Sequence, residues 1–362
     1  MKSCGIYVHI PFCIQKCLYC DFYSVSGAGQ APTYCSRLLE EIRQADLKEY
    51  TAGSIFFGGG TPTFLPSFLL TKILRAIKGK AALQKDCEIT VECNPKTAGK
   101  AYFMELLEAG FNRLSVGAQS FHDNELALLG RAHNSKDVAL CLREAAEAGF
   151  SNISLDLMVG IPGQTLESLH ESIVKALNFT ELKHISLYGL MIEAGTPFAK
   201  MDLDLPAEDD LLAMLDLGVA LLENAGYRQY EISNFAKPGK ECKHNLNYWR
   251  RGEYFGFGAA AHSFIHGKRY SNSANILQYV RCDEAPLSTK DAMFEKVMLA
   301  LRLTEGLDKA EFKNEFHIDF EKQYADVIAK YSEFSENTQT HFRLTRWGMQ
   351  VSNTILSDFI II

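Results

Sequence analysis

Three cysteines within eight residues, Cys13, Cys17 and Cys20, constrain this chain more than any other stretch. Their spacing is C-x3-C-x2-C. Buried structural cysteines are usually scattered and inert. Thiolates gathered on one short loop are instead the usual holders of an iron–sulfur cluster. A cubane has four irons, so three cysteines leave one iron without a protein ligand. That open iron can chelate a small molecule and pass it an electron. The bland alternative is three buried free thiols.

The other bulk properties agree with an intracellular metalloprotein. The chain has 362 residues, enough for one large domain and a smaller one. Apolar residues make up 47% of it, ample for a core, and the formal net charge is −7. A nucleic-acid binder would more often be basic. Met1–Ser3 runs straight into the apolar Gly5–Ile10, with no charged segment and long apolar run of a secretory signal. No apolar stretch approaches the ~18 residues that span a bilayer. The ten cysteines are therefore metal ligands and reduced core thiols of a cytoplasmic protein rather than disulfides. Cys35, Cys87, Cys93, Cys141 and Cys282 lie singly in periodic segments and are expected in the core.

Apolar β-rich runs alternate with helical patterns over the first two thirds of the chain. Strands are predicted at Gly5–Ile10, Ser54–Phe57, Glu88–Glu92, Arg113–Val116, Ile153–Val159 and His184–Leu190. Helices are predicted at Thr33–Tyr50, Phe68–Lys78, Lys100–Ala109, Ser135–Ala148, Leu166–Phe179 and Asp209–Asn224. Six strand–helix units imply a parallel α/β sheet with helices outside, fewer than the eight of a full TIM barrel. The expected fold is an open, partial (β/α)6 barrel over residues 1–230. A Gly- and aromatic-rich connecting segment follows at 231–288. A small, mainly helical, winged-helix-like domain is expected at 289–362, with a hairpin near Thr338–Thr345. Its mixed, acidic surface argues against DNA.

Glycines and polar residues gather after the strand ends: His9 to Cys20, Gly58–Thr63, Glu92–Pro95, Gly117–Gln119, Asp156 and Gly160–Gly163. In parallel α/β folds, sites form at the carboxyl ends of the strands. Six loops are therefore expected to converge on one mouth. Glycine-only loops such as Gly58-Gly59-Gly60 let backbone approach a ligand closely.

The cysteine motif, with Tyr19 before the third cysteine and Gly58-Gly59-Gly60-Thr61-Pro62 after the second strand, resembles the radical S-adenosylmethionine superfamily. In that superfamily a [4Fe–4S] cluster binds S-adenosylmethionine and splits a C–S bond to give a 5′-deoxyadenosyl radical. Tyr7–Cys13, Gly58–Thr63, Gly117–Phe121, Leu129–His133 and Asp156–Gly163 further resemble the oxygen-independent coproporphyrinogen III oxidase family, in the family's order. The resemblance implies that Tyr7, Gly59 and Glu92 contact the cluster-bound S-adenosylmethionine. It assigns Gly60, Thr61, Gln119, Arg131 and Asp156 to a second S-adenosylmethionine. Physical roles fit: Glu92 for an amino group, Arg131 for a carboxylate fork, Asp156 for ribose hydroxyls. A solvated Glu or a structural Arg ion pair is the plainer reading at such positions.

Two departures point to a branch. The oxidases resemble C-x3-C-x2-C-x-C, whereas Phe22 stands at the fourth position here. The oxidases also carry a longer segment before the motif, and only six residues precede Tyr7. Both features resemble the haem-chaperone branch of the family. So do Tyr230–Ala236 and His244-Asn245-Leu246-Asn247-Tyr248-Trp249, a His-Asn-x-x-Tyr-Trp motif associated there with haem. The resemblance makes His244, Tyr248 and Trp249 haem-site residues. Without it, His244 is either an iron ligand or a hydrogen-bonded structural histidine. His262 and Cys242 are weaker alternatives. The resemblance implies haem as cargo, apo-haemoprotein acceptors that include membrane-bound ones, and dimerisation. The rival functions are oxidative decarboxylation of coproporphyrinogen III, or radical chemistry on another substrate.

Overall fold

The computed structural model describes residues 1–283 and 286–360. The chain starts with β1 (Lys2–Ile10), the short pair β2 (Phe12–Cys13) and β3 (Val25–Ser26), and α1 (Ala31–Gln44). Next come β4 (Tyr50–Gly59), α2 (Ser67–Lys78), β5 (Ala82–Cys93), α3 (Lys100–Ala109), β6 (Arg113–Gln119) and α4 (Asp123–Leu128). Then follow α5 (Ser135–Ala148), β7 (Ile153–Val159), α6 (Leu166–Leu177), β8 (Leu182–Gly189) and α7 (Glu208–Asn224). Strands β1, β4, β5, β6, β7 and β8 lie side by side in that order and pair in parallel. This is the expected six-unit partial barrel, with helices on its outer face.

Local signals explain the boundaries. Asn134 caps α5 in a reciprocal box with Asp137, and Gly149 closes the helix at φ 115°, a conformation glycine adopts without a Cβ penalty. The expected helix Thr33–Tyr50 ends earlier, at Gln44. Leu47 is still buried, but from the loop. Strand β5 begins six residues before its expected start, through the charged Lys85 and Asp86.

Outward-facing side chains of the sheet form the apolar layer under the helices: Ile6 and Val8, Ile55 and Phe57, Ile89 and Val91, Leu114 and Val116, Leu155 and Leu157, Ile185 and Leu187. The inward faces are different. The register aligns Gly5 with Ser54 and Ser54 with Glu88, and Ser154 with His184. One step up it aligns Tyr7 with Phe56, Phe56 with Thr90, and Asp156 with Ser186. Successive strand residues point to opposite faces, so the period of two gives an apolar jacket around a polar lumen.

Beyond residue 227 the chain does not leave the barrel. The added strands are β9 (Arg228–Gln229), β10 (Asn234–Ala236), β11 (Tyr254–Phe257), β12 (His262–Ile265), β13 (Lys268–Asn272) and β14 (Arg281–Asp283). Strand β10 pairs antiparallel with β8, while β11 pairs parallel with β1, so the segment extends the sheet at both ends. Between them, helix α8 (Lys243–Trp249) covers the lumen floor. The absence of α/β alternation read from the sequence here corresponds to short strands and a seven-residue helix. Cys282, expected in the core, is exposed on edge strand β14. The other four singly placed cysteines are buried.

The C-terminal part opens with α9 (Thr289–Ala300) and has its own core around Phe312, Phe320, Phe342 and Phe359. The expected hairpin is present: Ser335–Asn337 pairs with His341–Leu344. The helices after it are short: Phe320–Gln323 and Ala325–Lys330 before the hairpin, Arg346–Gln350 and Ser352–Ser357 after it.

Candidate functional site at the cluster loop

Cys13 closes β2, and Cys17 and Cys20 follow on one loop; all three are partly exposed and none is in a disulfide. Four hydrogen bonds pin that loop. Val25 N donates to Pro11 O at 2.7 Å, and Gly27 N donates to Cys13 O at 2.8 Å. Across the mouth, Gln15 Nε2 donates to Gly130 O at 2.7 Å, and Leu18 N to Leu129 O at 3.1 Å. Gly130, at φ 70°, sits so close that a Cβ would lie 2.9 Å from Leu18. The Leu129–His133 stretch is therefore the second jaw holding the cysteine loop.

The glycine loop after β4 packs between strand and cysteines. Gly60 N donates to Ile10 O at 2.9 Å and Thr61 N to Phe12 O at 2.8 Å. A Cβ at Gly60 would meet Phe12 N at 2.8 Å, and one at Gly59 (φ 111°) would meet the His9 ring at 2.4 Å. Thr61 Oγ1 donates to Cys13 Sγ at 3.7 Å. Burial pushes the Cys13 and Cys20 thiols up, with hydrogen bonds opposing it.

Arg131 stands against the second cysteine. Its Nη1 donates to Cys17 Sγ and Tyr19 Oη, both at 3.4 Å, and its Nη2 donates to Gly117 O. Its Nε is buried and meets no acceptor among the described residues. Burial alone would lower its pKa, but Tyr19 and Cys17 outweigh this and hold it up, so it stays a cation. Gln119 occupies the left-handed region at φ 71°, rare for a residue with a side chain, and its Oε1 accepts from Tyr188 Oη at 2.8 Å.

Glu92, next to last in β5, points into the lumen, and its Oε2 accepts from Gly59 N at 3.1 Å. Burial, then the neighbouring Asp156, pushes its carboxyl up to about 8. Asp156 is itself raised by burial, against help from Ser186, Arg113 and Arg131. These two acids line the same cavity.

Gly59, Gly60, Thr61, Glu92, Gln119, Arg131 and Asp156 all line one cavity with the three cysteines. Tyr7 lines the adjoining cavity, which shares Gly59 and Glu92. The Gly160–Gly163 loop is not part of the wall; Ile161 instead packs in a small core with Leu129, Met158 and Phe198.

Sequence reasoning missed four residues. His9 donates Nε2–H to Tyr23 O at 2.9 Å, and its Nδ1 accepts from Tyr7 Oη at 2.9 Å. Burial lowers its pKa, and a neutral ring suits both bonds. It thus ties the strand to the chain just after the cysteines. Its place two residues after Tyr7, on the same inward face, was the available signal. Tyr23 and Tyr188 carried none. His133 links Ala118 O, at 3.1 Å, to the Asn94 side chain, at 3.2 Å, and so props the Arg131 loop.

The His-Asn-x-x-Tyr-Trp residues separate. His244 is 2% exposed, its Nδ1 bonded to Ser54 Oγ and its Nε2 to Tyr248 Oη, both at 2.9 Å. Burial, helped by Arg113, pulls its pKa down to about 3. Glu88 accepts from the α8 backbone at Lys243 and His244, 3.1 and 3.2 Å, and from Cys242 Sγ. Buried Arg113 lies 3.9 Å from Glu88. This network fixes α8 as the floor of the lumen. Tyr248 turns up into the second cavity, while Trp249 faces Arg302, 5.6 Å over its ring.

Residues 7–176 match the model of the radical SAM superfamily, and residues 287–351 match that of the HemN C-terminal domain. A Bacillus subtilis protein named heme chaperone HemW is 37% identical over 99% of both chains. A Haemophilus influenzae protein of the same name is 36% identical over 98% of this chain and 97% of its own. The solved coproporphyrinogen III oxidase HemN of Escherichia coli shares the fold, with a TM-score of 0.86 at 22% identity, over 99% of this chain and 90% of that one. A radical SAM domain implies a [4Fe–4S] cluster and S-adenosylmethionine, and the geometry fits both. The three thiols sit on one short loop and line one cavity, as a cluster held by three thiolates needs. Arg131, whose Nε is orphaned, and the glycines Gly59 and Gly60 line the cavity such a ligand would fill. The chain belongs to the HemW family, within the radical SAM superfamily.

Proposed function

We propose that this protein is a haem chaperone: it binds haem and passes it to apo-haemoproteins, with a [4Fe–4S] cluster on Cys13, Cys17 and Cys20 and S-adenosylmethionine beside it. The observation that carries the reading is Phe22. It lies 65% exposed on the rim shared by both cavities, where the related oxidases have a further cysteine. The names borne by full-length relatives at 34–37% identity support the same reading.

When bound, the cluster would supply an electron, and its open iron would chelate S-adenosylmethionine. The chain's own residues do the rest. The two jaws hold the cysteine loop in place. Gly59 and Gly60 let ligand and backbone approach closely. Glu92 would take the amino group, giving up its proton, and Arg131 adds fixed positive charge next to Cys17. Gln119, Thr61 and Asp156 offer polar groups to a further S-adenosylmethionine. Dimerisation, membrane-bound acceptors and a cytoplasmic location belong to the same proposal. No helix among the described residues is long and apolar enough to cross a membrane.

The test is anaerobic incubation of the cluster-loaded protein with coproporphyrinogen III and S-adenosylmethionine, alongside haem transfer to an apo-haemoprotein. Transfer without sustained protoporphyrinogen formation is expected. Sustained decarboxylation would make it an oxidase and end the chaperone reading. In parallel, Cys17→Ala should leave no intact cluster after reconstitution; a full [4Fe–4S] spectrum would remove Cys17 from the ligand set.

A further inference from the structure

One corner of the cysteine cavity is built by the end of β6. The register of β6 against β7 shifts between Gly117 and Gln119, and Gln119 takes φ 71° there. A bulge of this kind re-aims a side chain and strains the backbone. The surroundings hold it in place. His133 Nε2 donates to Ala118 O at 3.1 Å. Ser120, fully buried, donates to Glu125 Oε2 and accepts from His122 N at 2.9 Å. Gln119 lines the cavity as a result, and Ser120 does not.

Tyr188 settles which end of the Gln119 amide is free. A phenol has one hydrogen to give. That of Tyr188 goes to Gln119 Oε1 at 2.8 Å, so the amide oxygen is engaged. Gln119 Nε2, with two hydrogens, meets no acceptor among the described residues. A Cβ at Gly117 would lie 3.1 Å from Gln119 Nε2 and 3.3 Å from Arg131 Nη2. The two nitrogens therefore crowd the same bare Cα, one on a neutral amide and one on a guanidinium. Gly117, Gln119, Arg131 and Tyr188 all line this cavity. Asp156, opposite Gly117 in the register, is pushed toward its neutral form by burial, which spares a bound anion its repulsion.

Paired donors, one of them charged, suit a carboxylate. We infer that this corner is a carboxylate subsite, and that Tyr188 is the positioning residue that makes Gln119 its second donor beside Arg131. The inference rests on the reading that a further S-adenosylmethionine binds here and deepens it: that molecule is recognised by the carboxylate of its amino-acid end.

The test loads the full chain with its cluster under anaerobic conditions. Equilibrium dialysis then measures binding of labelled S-adenosylmethionine and of its decarboxylated analogue, while the EPR signal of the reduced cluster reports the molecule at the open iron. The wild type should take up a second S-adenosylmethionine besides the one at the cluster, and the analogue should bind that second site about tenfold or more weaker. Tyr188→Phe leaves the amide free to rotate. It should weaken the second S-adenosylmethionine about three- to tenfold, hold the analogue within about twofold and keep the EPR change. Gln119→Glu replaces the donor by an acceptor. It should weaken the second S-adenosylmethionine about thirtyfold or more, while the analogue binds at least as well as to the wild type. Equal losses for both ligands in Tyr188→Phe, or no loss in either variant, would overturn the inference and leave the S-adenosylmethionine reading standing. A wild type that takes up no second molecule defeats the reading of a further S-adenosylmethionine, and this inference with it.

Discussion

Glu92→Gln isolates the cost of an acid placed where no cation yet stands. The carboxyl is raised from 4.5 to about 8 by burial and by Asp156. Its folded value exceeds its unfolded one, so the protonated form is favoured in the native state. That contribution is complete below pH 4.5 and is lost as pH rises through 8. Between these values the native state holds a proton that the unfolded chain has released, and stability falls by about 1.4 kcal/mol per pH unit. Integrated from pH 5 to pH 9, the loss is about 4 kcal/mol, or about 2 kcal/mol if water in the cavity screens half of it. Glutamine keeps the oxygen that accepts from Gly59 N but cannot ionise. Urea unfolding of the apo chain at pH 5, 7 and 9 should therefore show the variant gaining on the wild type by about 2–4 kcal/mol across the range. Parallel pH profiles for the two proteins would refute the claim that Glu92 is held protonated.

Two further substitutions probe the cradle and the floor. In Gly60→Ala the new methyl would press on Phe12 N and Phe12 O, at 2.8 and 2.9 Å, and neither is a side chain that can swing away. The expected result is a loss of about 1–3 kcal/mol in urea unfolding and less iron retained after anaerobic reconstitution; unchanged values in both would show that the cradle yields. His244→Ala removes a buried ring and leaves Ser54 Oγ and Tyr248 Oη without their partner. A loss of about 2–4 kcal/mol in unfolding free energy is expected, and a loss below about 0.5 kcal/mol would contradict the structural role given to this histidine.

The first half of the fold was legible because its signals are local. Strand β7 and helices α3 and α5 fall on their predicted residues, each bounded by a glycine turn or a capping asparagine. The cysteines, Gly59, Gly60, Glu92, Gln119, Arg131 and Asp156 do meet at one mouth, as loops at strand ends should. What stayed hidden depends on pairing across the chain. Nothing near residue 254 announces that β11 will lie beside β1, some 250 residues earlier, nor that α8 will close the lumen floor. Cys282 carries a core-like sequence context, yet its strand is the outermost of the sheet, and edge position is a property of topology alone.

The histidine motif shows why residue type and spacing can be right about a site and silent about roles. In a seven-residue helix, positions four apart share a face, so His244 and Tyr248 were bound to lie together. The sequence cannot say which of the two faces the ligand. Glu88 decides it. By accepting from the first turn of α8 from inside the barrel, it pulls the His244 end into the floor, and Tyr248, one turn on, rises into the cavity. A neutral imidazole between two hydroxyls then needs no further partner. The motif's tyrosine, and not its histidine, is therefore the side chain that faces the second cavity.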